Sequence, residues 1–250
     1  MSSDRIWVLD NSKKTYMPWI WSECIARRQL PKNMCAPVHM IYNVRKGIVD
    51  SFYDPKEMSA CSKKIAERLT ADKLELEHLA LNCKTEHDKL MQVAVDLDKL
   101  DLVSLSDDQL FKVYTILLKQ YGEVFKFNSI MQAASKDEKI ANSFSGSNLN
   151  KDFVEEALSG AVLSANNLFT EIGERLQRND EFAMHMTPEE MDCSLHGGIF
   201  EEWEVESRKE HYLLVYDGEK DNPIAYVGER SRVMEVSFNF NKVPKNDLIE

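Results

Sequence analysis

Between Ser106 and Met131 apolar side chains recur every three or four residues: Leu110, Val113, Tyr114, Leu117, Leu118, Tyr121, Val124, Phe125 and Met131. Only an α-helix turns such a set to one side, and the capping box Ser106-Asp107-Asp108-Gln109 marks its start. A long helix with one apolar face needs partners, and three neighbours obey the same rule. From Asp72 to Asp98 the stripe is Leu76, Leu79, Cys83, Leu90, Ala94 and Leu97. Helix resumes with Phe153, Ala157, Ala161, Ala165, Leu168, Phe169, Ile172 and Leu176. Asp54-Pro55-Lys56-Glu57 supplies an N-cap, a proline in the first turn and an acid behind it, so a further helix runs from Pro55 to about Leu69. Four such helices predict an antiparallel bundle. The small residues Ser159, Gly160, Ala161, Ser164 and Ala165 would admit a close neighbour, a packing helix in the plainer reading and a ligand in the other.

The rest of the chain is less periodic. The first 40 residues mix Trp7, Tyr16, Trp19 and Trp21 with polar and basic groups and read as an irregular aromatic lid. Residues 39–53 place two β-prone runs around Arg45-Lys46-Gly47, a hairpin. Ser143 to Asn150 reads as a loop. After Asp180 come a short capped helix at Thr187-Pro188-Glu189-Glu190, the triplet His196-Gly197-Gly198, a charged helix, and two short strands, His211 to Tyr216 and Pro223 to Val227, with an extended tail after Val236. The expected class is mainly α, an antiparallel helical bundle with a small β-hairpin near the N-terminus and a short α+β C-terminal segment. Residues 1–180 hold the aromatic segment, hairpin and bundle, and 181–250 form a small linker-like unit.

With 43% hydrophobic residues among 250, and only 9 glycines and 7 prolines, the chain has material for a core and little for flexible linkers. Its net charge of -11 repels phosphate backbones and anionic lipid, which argues against nucleic acid and membrane partners. Lys13-Lys14, Arg27-Arg28, Lys242 and Lys245 are modest basic groups, most simply solvated surface. No run of about 18 apolar residues occurs, and Met1 to Arg5 lacks the pattern of a secretory signal. The five scattered cysteines, Cys24, Cys35, Cys61, Cys83 and Cys193, fit buried thiols in a reducing compartment, so the expected location is cytoplasmic.

Motifs for chemistry are scarce. His78, Cys83 and His87 form the best local metal set, but spacings of five and four leave only Cys83 and His87 on one face, and a thiol and histidine in the core is the plainer account. Phosphate-binding glycine loops and a serine nucleophile elbow are missing. Glu189-Glu190 and Glu201-Glu202 sit where helix N-termini favour negative charge. His196, beside two glycines, could titrate near neutrality, yet a glycine C-cap explains the triplet. No catalytic, cofactor-binding or metal residues and no cofactor are therefore assigned.

The segment Arg178-Asn179-Asp180-Glu181-Phe182-Ala183-Met184-His185-Met186-Thr187-Pro188-Glu189-Glu190-Met191 resembles a passage in phosphoenolpyruvate synthases and related PEP-utilising phosphotransferases, including rifampicin phosphotransferase. The order departs slightly, with Phe182 directly after Asp180-Glu181. Glu204, Glu206, Arg208, Tyr212 and Gly228-Glu229 are similar to that family's acidic helix, its arginine-bearing end and its short strand turn. The resemblance covers roughly residues 105 to 236. It implies a helical middle region whose partners, separate ATP-grasp and phosphohistidine-domain polypeptides, supply the chemistry. The phosphorylated histidine of the family follows a glycine pair, whereas His196 precedes one, so that role is not carried over.

Three readings follow. The leading one is a stand-alone substrate-binding or scaffolding module of a PEP synthase-like phosphotransferase, inactive alone, with a possible small-molecule ligand; the chain ends at Glu250 about where the family's mobile histidine domain would begin. The enzyme alternative is a small-molecule phosphotransferase or hydrolase with a site built from His185, His196, Arg178 and Arg208. The third is a helical protein-interaction module docking through Trp7, Trp19 and Trp21.

Overall fold

The computed structural model describes residues 8–30, 39–134, 151–217 and 222–238, with the backbone alone for 8–14. The expected loop from Ser143 to Asn150, and most of the tail after Val236, lie outside the described residues. In chain order the elements are β1 (Val8–Lys14), α1 (Met17–Arg28), β2 (His39–Arg45), β3 (Ile48–Tyr53), α2 (Pro55–Ala71), α3 (Lys73–Leu97), a 3-10 turn (Leu102–Ser104), α4 (Asp107–Ala134), α5 (Lys151–Arg175), α6 (Asp180–Met184), α7 (Pro188–Leu195), α8 (Glu202–Glu210), β4 (His211–Asp217), β5 (Ile224–Val227) and α9 (Gly228–Phe238).

The chain is mainly helical, and the bundle is where the apolar stripes place it. α3, α4 and α5 pack on one another, with α1 and α2 against α4. Leu79, Cys83, Leu90, Ala94 and Leu97 of α3 are buried, as are Leu110, Tyr114, Leu117, Tyr121, Val124 and Phe125 of α4. Asp54 and Asp72 cap their helices by accepting from the amides of Lys56 and Leu74, each at 2.9 Å. The Ser106 box closes both ways: Ser106 N donates to Gln109 Oε1 at 2.8 Å and Gln109 N to Ser106 Oγ at 3.3 Å.

The hairpin β2–β3 forms around Lys46 and Gly47, both with positive φ, and Gly47 accepts the reversal with no side-chain penalty. It belongs to a larger sheet than its sequence announces. Five antiparallel strands run in the order β1-β3-β2-β4-β5, so the C-terminal strands pair directly with the N-terminal hairpin, Tyr42 opposite Leu214. Alternation along β2 and β4 turns Met40, Tyr42, Val44, Tyr212, Leu214 and Tyr216 toward the bundle core, and Ile41, Leu213 and Val215 into a second apolar cluster on the far face, completed by Met234 and Phe238 of α9.

The described part of the N-terminal segment, residues 8–30, is not an irregular lid. It is an edge strand followed by a helix whose start is set by Pro18 in its first turn. That helix escapes a periodicity test because nearly all its faces are covered, including those of Glu23 and Arg27. Ser22 Oγ donates to Leu118 O at 2.6 Å, Tyr121 Oη donates to Glu23 Oε1 at 3.2 Å, and the Arg27 guanidinium lies 5.1 Å over the Phe125 ring. Trp19 is 1% exposed and Trp21 is buried beside it, which takes both away from any docking surface; Trp7 lies outside the described residues.

The turn out of α5 fixes how the bundle meets the C-terminal elements. Arg178 N donates to Gly173 O at 2.8 Å and Gln177 N to Glu174 O at 3.0 Å, a Schellman closure with Gln177 at φ 54°. The chain then doubles back so tightly that a Cβ on Gly173 would stand 2.8 Å from the backbone carbon and oxygen of Asn179. Those are main-chain atoms held by a cap, so they cannot swing aside. Gly173→Ala is expected to lower stability by about 1–3 kcal/mol, the cost of overpacking a closed site. An unchanged urea midpoint would contradict this placement of the turn.

Candidate functional site

The segment from Asn179 to Tyr216 threads between bundle and sheet, and its first two helices are capped from their own sequence. Asn179 accepts from Phe182 N at 2.9 Å and starts α6. Thr187 and Glu190 form a reciprocal box at α7, with Glu190 N donating to Thr187 Oγ1 at 3.2 Å and Thr187 N to Glu190 Oε2 at 2.8 Å. At the other end of α7, Gly198 N donates to Cys193 O at 2.7 Å and Gly197, at φ 72°, takes the left-handed position. His196-Gly197-Gly198 is therefore a helix C-cap.

Arg208 is the centre of the arrangement. It comes from α8, is 2% exposed, and clamps Glu190 with both terminal nitrogens, Nη1 to Oε2 at 2.5 Å and Nη2 to Oε1 at 2.9 Å. Nη1 also donates to His185 O at 3.1 Å, and Nη2 reaches Glu204 Oε2 at 3.4 Å. One buried cation thus ties α6, α7 and α8 into a single body just before β4 enters the sheet.

His185 lies at the edge of this clamp and is 1% exposed. Its Nδ1 donates to Glu181 O at 2.7 Å, and the Tyr16 ring meets it edge-on at 5.6 Å. Burial, more than anything else, pushes its pKa down, with Lys209 and Arg208 adding to the effect against the opposing pull of Glu181. The buried site favours the neutral ring. Its Nε2, the Tyr114 and Tyr212 hydroxyls and Arg208 Nε are buried without hydrogen-bond partners among the described residues. Both tyrosines are pushed up by burial, so neither supplies a phenolate.

The four residues of the enzyme reading divide into separate sets. Arg208 and His185 are joined through the His185 carbonyl. Arg178 pairs with Glu202 and lies 5.6 Å over the Phe182 ring. His196 bridges two helix ends, Nδ1 to Asp192 O and Nε2 to Asp108 Oδ1, both at 2.8 Å. The arrangement offers a rigid joint and no nucleophile–base pair. The metal set divides likewise. His78 is exposed, Cys83 is buried with its thiol pushed up to about 12 by desolvation, and His87 stacks on Phe153 at 3.7 Å. Among the described residues no group of three or more His, Cys, Asp or Glu could hold a metal ion, and no helix is long and apolar enough to cross a membrane.

The two histidines have opposite pH signatures. Asp108 first, then the Asp192 carbonyl, raises the His196 pKa, so its contribution is full below the ordinary imidazole range and fades as pH rises through the raised value. Burial lowers that of His185, so the folded state loses stability as pH falls below the ordinary value toward the lowered one. Urea midpoints between about pH 5 and 7 should therefore rise with pH less steeply in His185→Asn than in the parent chain, and more steeply in His196→Asn. Identical slopes in all three chains would refute both assignments.

Sequence reasoning missed the second role of Glu190. It read the carboxylate as a helix-end charge, which it is, but its pairing with Arg208 spans 18 residues and leaves no local pattern. The comparisons add nothing to the geometry: no family model, no curated protein and no solved structure matches the chain.

Proposed function

We propose that the chain is the non-catalytic middle module, substrate-binding or scaffolding, of a PEP synthase-like phosphotransferase, with ATP-grasp and phosphohistidine functions supplied from outside these 250 residues. One observation carries the reading. The residues in which the family resemblance is concentrated, Arg178 to Met191 with Glu204 and Arg208, form a packed joint in which Arg208 holds Glu190 and Glu204 and Arg178 pairs with Glu202. Such a joint fixes the orientation of bundle and sheet, as a module spanning two catalytic domains must, and its charged groups are taken up in holding it together.

Affinity purification of the tagged chain from its native cells, with mass spectrometry of the co-purifying proteins, tests the reading. Near-stoichiometric recovery of an ATP-grasp or phosphohistidine protein is expected. Repeated recovery of the chain alone would overturn the partnership.

A further inference from the structure

The face of the sheet turned away from the bundle carries a second polar cluster, assembled from β2, β4 and α9. Asn43 and Arg45 project to the same face because they are two apart on β2, and the register places His211 opposite Arg45. Ser231 and Glu235, four apart on α9, come down on them from above. Glu235 Oε1 accepts from Asn43 Nδ2 at 3.3 Å and pairs with Arg45. His211 Nε2 donates to Asn43 Oδ1 at 2.9 Å, and its Nδ1 lies 3.0 Å from Ser231 Oγ, whose single proton is shared with Gly228 O at 2.7 Å.

This resembles a serine–histidine relay in composition only. Ser231 is 0% exposed, so no substrate reaches it, and both nitrogens of the ring are occupied by protein. The ring is a fixed floor. Beside it opens a cleft of about 580 Å³ lined by Arg45, Lys46, Glu210, His211, Arg232 and Glu235. Its charges do not cancel. Glu235 balances Arg45, and Glu210 faces Lys46 at 3.7 Å in a pair exposed on both sides, which holds little energy. Arg232 has no ion-pair partner among the described residues. On a chain of net charge -11, this is a local positive surplus in an open cleft, its cations Arg45, Lys46 and Arg232 exposed around a floor of His211 and Glu235.

We infer that this cleft binds an oxyanion, the phosphate group of a small phosphomonoester, held by Arg232 and Arg45 with Lys46 closing over it in place of its contact with Glu210. Guanidinium groups present paired donors that match a tetrahedral oxyanion, and Arg45 is already oriented by Glu235. The inference does not rest on the phosphotransferase reading.

His211 reports occupancy, since its ring lines the cleft and cannot move away from Asn43 and Ser231. The full chain is titrated with inorganic phosphate at constant pH and ionic strength while the His211 Cε1–H resonance is followed by NMR. A saturable shift is expected. Arg232→Ala, which removes an exposed side chain with no ion pair among the described residues, should weaken the affinity by about tenfold or more, and Glu210→Gln should tighten it roughly threefold by freeing Lys46. Three results would each overturn the assignment: no saturable shift, an unchanged affinity in Arg232→Ala, or an equal response to acetate at the same ionic strength.

Discussion

Arg208→Ala is expected to lose about 3–5 kcal/mol of folding stability, the usual cost of removing one member of a buried ion pair. The loss is large because three groups are stranded together. Glu190 keeps its bond from Thr187 N but faces the interior as an uncompensated carboxylate, the His185 carbonyl loses its donor, and the Glu204 carboxylate loses its cation. Arg208→Lys retains the charge without the two-pronged geometry and should fall between, at roughly 1–3 kcal/mol. Domains of this kind are stable by only about 5–15 kcal/mol in all, so Arg208→Ala should be visible as a marked fall in the urea midpoint. A change below about 1 kcal/mol would mean that the clamp is solvated and the joint is not what holds these helices together.

Trp19→Ala should cost about as much, roughly 3–5 kcal/mol, by a different mechanism. Trp19 is among the largest fully buried side chains, packed at 4.8 Å from the Tyr121 ring and 6.2 Å, edge-on, from Phe169. It therefore joins α1 to both α4 and α5, and its removal leaves a cavity that helices anchored elsewhere cannot close. Trp19→Phe should recover more than half of the loss. If Trp19→Ala unfolded at the parent midpoint, the tryptophan would be on a surface and the docking reading would regain its footing.

These two residues also mark what the sequence could and could not convey. The bundle was legible because three of its long helices, α3, α4 and α5, carry their own apolar stripes and because Asp54, Asp72 and Ser106 cap α2, α3 and α4 from within a few residues of the element they define. The hairpin was legible from the Lys46-Gly47 turn. The helix holding Trp19 was not, since a helix buried on almost every side shows no contrast between faces. α9 was missed for the opposite reason: Val233 and Val236 are exposed and Ser231 is buried, so apolar and polar positions are scrambled with respect to its packing. The pairing of β2 with β4 joins residues some 170 apart, and nothing local in either strand names its partner. The site followed the same division. His185 and Arg208 stood out as chemistry-bearing residues, but only the folded chain sets Arg208 against both Glu190 and the His185 carbonyl, and only there do Asn43, His211, Ser231 and Glu235 meet.

On the proposed reading, the segment resembling a phosphotransferase passage is a joint and the chain transfers no phosphoryl group by itself. The most direct measurement is to incubate the purified chain with ATP labelled in its terminal phosphate and, separately, with labelled phosphoenolpyruvate, and to follow label on the protein and in released products. The account predicts no incorporation and no turnover above a heat-denatured control. Acid-labile label mapping to His185 or His196, abolished by substituting that histidine, would contradict it.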